Sequence, residues 1–316
     1  MALGAAAASW PLSARAQQAS MPVIGYLESA TTSPLNAAAF HAGLKEAGFV
    51  EGQNFAIEYR NAEAQYDRLP ALAADLVARQ VSLIVARGAV VSPLAARAVT
   101  TTIPIVFLVG VDPVRTGLVA SLNRPGGNIT GITAFGSELS NKRMEFLADL
   151  LPKARGFAVL INPNNPSHVV DKARWQSLAI GVPIETVSAS TESDFEPSIA
   201  GLTEKQIDAV YVVPDTLFSS KRDRLVSVLT RHRMPAIFSD RDSAVAGGLL
   251  SYGASLSEAH HQLGIFVGRI LKGEKPADLP VLQPTKLDMI INLKAAKALS
   301  ITVPDSLLVQ ATEVIE

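Results

Sequence analysis

The chain has 316 residues, 48% of them hydrophobic and 18% charged, with a formal net charge of -1. That length predicts two domains, and the near-neutral balance without a basic stripe argues against nucleic acid as a partner. The absence of cysteine excludes disulfides, zinc–thiolate sites and cysteine nucleophiles together.

Taken in chain order, residues 1–20, "MALGAAAASWPLSARAQQAS", do not read as part of a fold. A short apolar stretch reaches Leu12, and Ala14-Arg15-Ala16 has the small-x-small form of a signal-peptidase site. No Lys or Arg precedes the apolar run, so the segment reads as a secretory signal peptide truncated at its N-terminus, or else as an Ala-rich tail. It is too short for a permanent bilayer anchor, and no later segment is long and apolar enough to span a membrane.

From Met21 apolar runs of strand type alternate with helical patterns. Strands are expected at 23–27, 55–59, 81–87 and 103–109, and helices over 33–49, 69–80 and through "SPLAARAV". Pro70 falls in the first turn of its helix, where proline is tolerated. Gly126-Gly127, in "RPGGNITG", reads as a turn into a strand over "ITGIT". The order then repeats. Strands at 157–161, 182–187, 208–214 and 234–238 alternate with helices over 169–179, 195–207 and 219–233. A helix over 259–273, a linker "KPADLP", a strand at 287–293 and a short helix close the chain. Such continuous apolar strands belong to parallel sheets covered on both faces. The pattern gives α/β architecture: two doubly wound, Rossmann-like parallel-sheet domains facing each other across a cleft.

In open α/β sheets ligands bind beyond the carboxyl ends of the strands. The loops at that end hold Glu28 and Ser29; Arg87, Gly88 and Ala89; and Asp112, in the first half. In the second half they hold Asn162 and Asn165; Asp215 and Thr216; and Asp240. Singly, each has a structural reading: Ser29 and the asparagines suit helix N-caps, and Asp112 and Asp215 suit turns. Together, at one end of both sheets, they predict a ligand cleft.

Catalytic and nucleotide motifs are absent. There is no Gly-x4-Gly-Lys-Ser/Thr run, no Gly-x-Gly-x-x-Gly after the first strand and no Gly-x-Ser-x-Gly elbow. His260 and His261 are adjacent on a helix and point about 100° apart, unlike the i, i+4 pairs that hold a metal. The sequence predicts no enzyme, no cofactor and no metal.

Several stretches carry a resemblance: "IPIVFLVGVDPVRTGLVASLNRPGGNITGIT", "INPNNPS", "GGLLSYG" and the closing "GEKPADLPVLQPTKLDMIINLKAAKALSITVPDSLLVQATEVIE". Together with "GLKEAGFVEGQNFAIEYRNAEAQYDRLPALAADLVARQVSLIVA" they resemble the ABC transporter substrate-binding family that includes tryptophan- and tyrosine-binding lipoproteins. The resemblance implies a type I periplasmic-binding-protein fold with a multi-crossing hinge. One lobe would be 22–136 with 254–283, and the other 137–253 with 284–316. It also implies a periplasmic monomer that delivers a small solute to an inner-membrane ABC permease. "ARGAVVSP" departs from the small or hydroxyl loop usual after the third strand.

The ligand expected is an amino acid or related carboxylate, aromatic ones among the candidates. Its ammonium would meet Asp215 or Asp240, and its carboxylate the loop N–H groups near Ser29, Gly88 and Ala89, with Arg87 either pairing to it or turned outward. Tyr252 either stacks on the ligand or packs at a crossing. The rival readings are a ligand-sensing domain of a receptor or regulator, and an enzyme on the same scaffold.

Overall fold

The computed structural model describes residues 21–134, 139–168, 175 and 180–316. Five parallel strands form the first sheet: β1 (Val23–Glu28), β2 (Ala56–Asn61), β3 (Leu83–Gly88), β4 (Ile105–Val109) and β5 (Ile129–Thr133), in the order β2-β1-β3-β4-β5. The second sheet holds β6 (Phe157–Ile161), β7 (Ile184–Ser188), β8 (Ala209–Val212), β9 (Ala236–Phe238), β10 (Leu250–Ala254), β11 (Leu287–Asn292) and β12 (Glu313–Ile315). Its order is β12-β11-β10-β9-β8-β6-β7. Read from β7, five of its strands repeat the order of the first sheet. Then β11 pairs antiparallel with β10.

The first sheet shows why its strands read as uninterrupted apolar runs. Leu83 and Val85 of β3 join one core cluster with Phe40 and Leu263, while Ile84 and Ala86 join another with Leu69 and Leu76. Alternate residues of a strand point to opposite faces, so both faces of β3 are covered and residues 83–86 are all apolar. The second sheet has its own core, built on Phe157, Tyr211, Ile237 and Met289 among others.

The helices are α1 (Pro34–Glu46), α2 (Leu69–Ala78), α3 (Val91–Val99), α4 (Ser140–Leu150), α5 (Phe195–Ala200), α6 (Thr216–Ser220), α7 (Arg222–Arg231), α8 (Arg241–Val245), α9 (Leu256–Leu271), α10 (Leu293–Leu299) and α11 (Asp305–Leu308). Helix α9 follows a strand of the second sheet but packs on α1 of the first. The crossing depends on glycine: a Cβ at Gly43 would strike the carbonyl of His261, and one at Gly264 the carbonyl of Phe40. Beyond α9 the chain stays on the first lobe, where Thr130 Oγ1 donates to the Leu279 carbonyl at 2.7 Å. It then returns as β11. Three passages therefore join the lobes, before α4, between β10 and α9, and before β11.

Five elements were not anticipated, the helices α4, α8 and α11 and the strands β10 and β12. The helix expected over 195–207 ends at Ala200, before Gly201, and the basic run over 219–233 divides into α6 and α7. The expected signal segment 1–20, the expected boundary at 136–137 and the expected helix over 169–179, Trp175 apart, lie outside the described residues. Among the described residues no helix is long and apolar enough to cross a membrane.

Candidate functional site

Each sheet has a switch point where neighbouring strands send their connections to opposite faces, between β1 and β3 and between β6 and β8. The crevice left there is the usual ligand position. Both crevices open onto one cavity of about 160 Å³ between the lobes. Its wall includes Arg87, Gly88 and Ala89 after β3, Gly110 and Val111 after β4, Asn165 after β6, Asp215 and Thr216 after β8, and Asp240 after β9.

At the first switch point Arg87 turns its guanidinium across to the β1 loop. Nη1 donates to Glu28 Oε2 at 3.2 Å, to the Ala30 carbonyl at 2.9 Å and to Thr32 Oγ1 at 2.6 Å. Glu28 is buried, so its charge requires this partner. Ser29 is fully buried, and its hydroxyl accepts from the Ala89 N–H at 3.0 Å. Glycine is required next to it. Gly88 has φ +99°, and a Cβ there would collide with the Ser29 hydroxyl and press on Thr216 of the other lobe.

At the second switch point the buried Asp215 is a hub. Oδ1 accepts from Asn162 Nδ2 at 3.0 Å and from the Leu217 N–H at 2.9 Å. Oδ2 accepts from Asn165 Nδ2 at 2.8 Å and from the Tyr66 hydroxyl at 2.9 Å. A carboxylate offers about four acceptor positions, and here protein donors occupy them all. Tyr66 reaches Asp215 from the first lobe and also lies 2.7 Å from Thr216 Oγ1. Burial, then the Asp215 charge, pushes the Tyr66 hydroxyl well above its usual range, so it stays a donor. Asn162 also places His168: its N–H donates to His168 Nδ1 at 3.0 Å, and His168 Nε2 lies 3.1 Å from the Pro214 carbonyl. These partners select the Nε2–H tautomer.

Asp240 is held differently. Its oxygens accept from the Ser243 N–H and hydroxyl, each at 3.0 Å, which leaves acceptor capacity. Desolvation raises its carboxyl above the usual range, and the Ser243 hydrogen bonds offset this only in part.

Of the residues expected to meet a ligand, Arg87, Gly88, Ala89, Asn165, Asp215, Thr216 and Asp240 line the cavity. Glu28, Ser29 and Asn162 stand behind it and orient Arg87, Ala89 and Asp215. Asp112 is not in the wall; its Oδ1 accepts from Val114 and Arg115 N–H groups in a turn. Tyr252 is not in the wall either. Its ring meets Phe146 edge-on at 4.9 Å, and its carbonyl accepts from Arg143 Nε at 2.6 Å.

Sequence reasoning missed Ser140, Arg143, His168, Trp175, Tyr211 and His260 as site residues, all in the wall. Arg143 is fully buried, with Nη1 donating to the Tyr211 hydroxyl at 3.0 Å. A signal did exist: positions 140, 143, 144 and 147 form the inward stripe of α4, and an arginine on such a stripe marks a polar interior. Among the described residues no group of His, Cys, Asp and Glu could hold a metal ion.

Comparison with known proteins bears on this geometry. Residues 31–315 match the family model described as "ABC transporter substrate binding protein". A curated "Tyrosine-binding protein" of Clostridioides difficile (strain R20291) is 30% identical over 262 residues, 82% of this chain and 75% of the relative. An ABC domain from Streptococcus pneumonia solved in complex with L-Trp superposes with a TM-score of 0.79 at 25% identity, covering 92% of this chain and all of that one. A ligand-free, open structure of a Clostridium difficile substrate binding protein with adhesive properties gives 0.65 at 27% identity, covering 93% and 99%. The family consists of solute-binding proteins rather than enzymes. By a match over nearly its whole length, the chain belongs to the ABC transporter substrate-binding protein family.

Proposed function

We propose that this protein is the periplasmic solute-binding component of an ABC importer, a monomer that closes its two lobes on an amino acid or related carboxylate and presents it to an inner-membrane permease. The observation that carries this reading is the cavity at the carboxyl ends of both sheets, walled by charged and polar side chains of both lobes. The Tyr66–Asp215 bond spans the cleft, so the lobes are in contact. The higher TM-score to the L-Trp complex than to the open, ligand-free relative supports a closed arrangement.

The charges divide the work. Asp240, with acceptor capacity left, is the better seat for a ligand ammonium than Asp215, whose acceptor positions are filled. The buried Arg143 guanidinium in the cavity wall supplies the positive charge that a ligand carboxylate needs. Apolar wall residues such as Val90 and Leu108 suit an apolar or aromatic side chain. The test is a thermal-shift screen of protein unfolded and refolded to remove carried ligand. An amino acid that binds adds about 2.7 kcal/mol at a hundredfold excess over Kd. A protein stabilised by sugars or polyamines and by no amino acid overturns the ligand class.

A further inference from the structure

Buried polar atoms without partners are rare in native proteins, and each costs about 1–3 kcal/mol. In this protein three of them belong to residues of one cavity wall: Arg87 Nε, Trp175 Nε1 and His260 Nε2. They come from a strand end, from Trp175 of the second lobe and from α9, places with no common structural reason to leave a group unpaired. The shared feature is the cavity.

Two of the three are donors. The third is an acceptor, and the structure says why. His260 is 1% exposed, and its Nδ1 lies 2.7 Å from the Leu256 carbonyl. A carbonyl only accepts, so Nδ1 carries the proton and Nε2 keeps a bare lone pair. Burial first, and the nearby Arg87 charge second, lower the ring's pKa to about 3, so no second proton fills that position near neutrality.

We infer that His260 is a specificity residue that accepts a hydrogen bond through Nε2 from an N–H or O–H group of the bound solute, with Arg87 Nε and Trp175 Nε1 donating to acceptors of the same molecule. This rests on the solute-binding reading above and narrows it: the solute brings at least one donor to α9. A molecule with only C–H groups at that position strips the lone pair of any partner and is rejected.

The substitutions separate this role from a structural one. Gln places an amide oxygen near the Nε2 position and gives up the Leu256 contact. Asn keeps a donor near Nδ1 and loses the Nε2 acceptor, and Leu loses both. The full chain and its His260→Gln, His260→Asn and His260→Leu variants are titrated with L-tyrosine, L-tryptophan and L-phenylalanine. For whichever amino acids bind the natural chain, we expect Asn and Leu to raise Kd roughly tenfold and Gln to hold it within about threefold. In addition, the unprotonated ring-nitrogen resonance of His260, followed by ¹⁵N NMR in the unsubstituted protein, shifts on saturation. A Leu variant that binds as tightly as the natural chain, Asn rescuing where Gln does not, or an unmoved resonance at saturation overturns the inference. If no amino acid binds the natural chain, the functional reading fails first and this inference falls with it.

Discussion

Replacing Tyr66 by phenylalanine removes one oxygen from a place where the two lobes are tied directly by a hydrogen-bonded carboxylate. The hydroxyl donates to Asp215 Oδ2 at 2.9 Å and lies 2.7 Å from Thr216 Oγ1, across the cleft. A hydrogen bond to a charged group contributes about 1.5–3 kcal/mol. It forms only when the lobes meet, so its loss falls on the closed state and leaves the open state and each lobe's core unchanged. The closed-to-open ratio then drops roughly 10- to 150-fold, and Kd rises by as much if closure is needed for tight binding. Asp215 keeps its other three donors, so the hub itself survives. Isothermal titration with the best-bound amino acid measures Kd, and urea denaturation of ligand-free protein measures lobe stability. Unchanged Kd, or a stability loss as large as the affinity loss, refutes the assignment of Tyr66 as an interlobe latch.

Other consequences follow from single groups. The folded pKa of His260, about 3, lies below its ordinary 6.5, so between those values the unfolded chain binds a proton that the folded chain does not. Stability is therefore lost as pH falls below 6.5, and His260 alone removes about 2.5 kcal/mol between roughly pH 7 and pH 4.5. Urea midpoints of the natural chain and His260→Gln should diverge by that amount over this range, and parallel curves contradict it. Gly88→Ala forces a left-handed residue against the Ser29 hydroxyl and Thr216, so a destabilisation of about 1–3 kcal/mol with weakened binding is expected in denaturation and titration. Asp240→Asn should weaken amino-acid binding roughly tenfold or more while leaving des-amino analogues unaffected. Equal losses for both ligand sets would remove Asp240 from the ammonium position.

The parts of the fold visible in the sequence are those whose burial is complete. The runs "FAVLI" and "IVFLV" are entirely buried in the structure, so every position is apolar and the strand declares itself. Strand β10, "LSYGA", mixes a serine, a tyrosine and a glycine because it borders both the second core and the passage to α9, and neither period is legible. Strand β12 has three residues and partial burial, too little for any pattern. The antiparallel β10–β11 pair was hidden because register depends on where the returning chain enters, which the α1–α9 packing decides.

The cavity divides along the same line. Loops at strand ends are found by a topological rule, which reaches Arg87, Gly88, Asp215 and Asp240. Arg143 and His260 instead come from helix faces turned inward, and a helix face gains its neighbours only through tertiary packing. Asp112 shows the rule's excess, since its carboxylate serves a turn beside the cavity. His260 was visible as one of two adjacent histidines, yet the difference between them is environmental. His260 is buried in the wall, while His261 meets Glu46 at 3.2 Å near solvent.

The most direct test of the account uses the two tryptophans of the chain. A Trp10→Phe substitution leaves Trp175 as the sole reporter, and Trp175 lies in the cavity wall. After unfolding and refolding, its emission is followed while L-tyrosine, L-phenylalanine, aliphatic amino acids, sugars and polyamines are titrated in. The account predicts a saturable change with one or more amino acids, abolished or weakened by Asp240→Asn. Saturable responses confined to sugars or polyamines, or amino-acid binding detected by calorimetry with no change at Trp175, would contradict it.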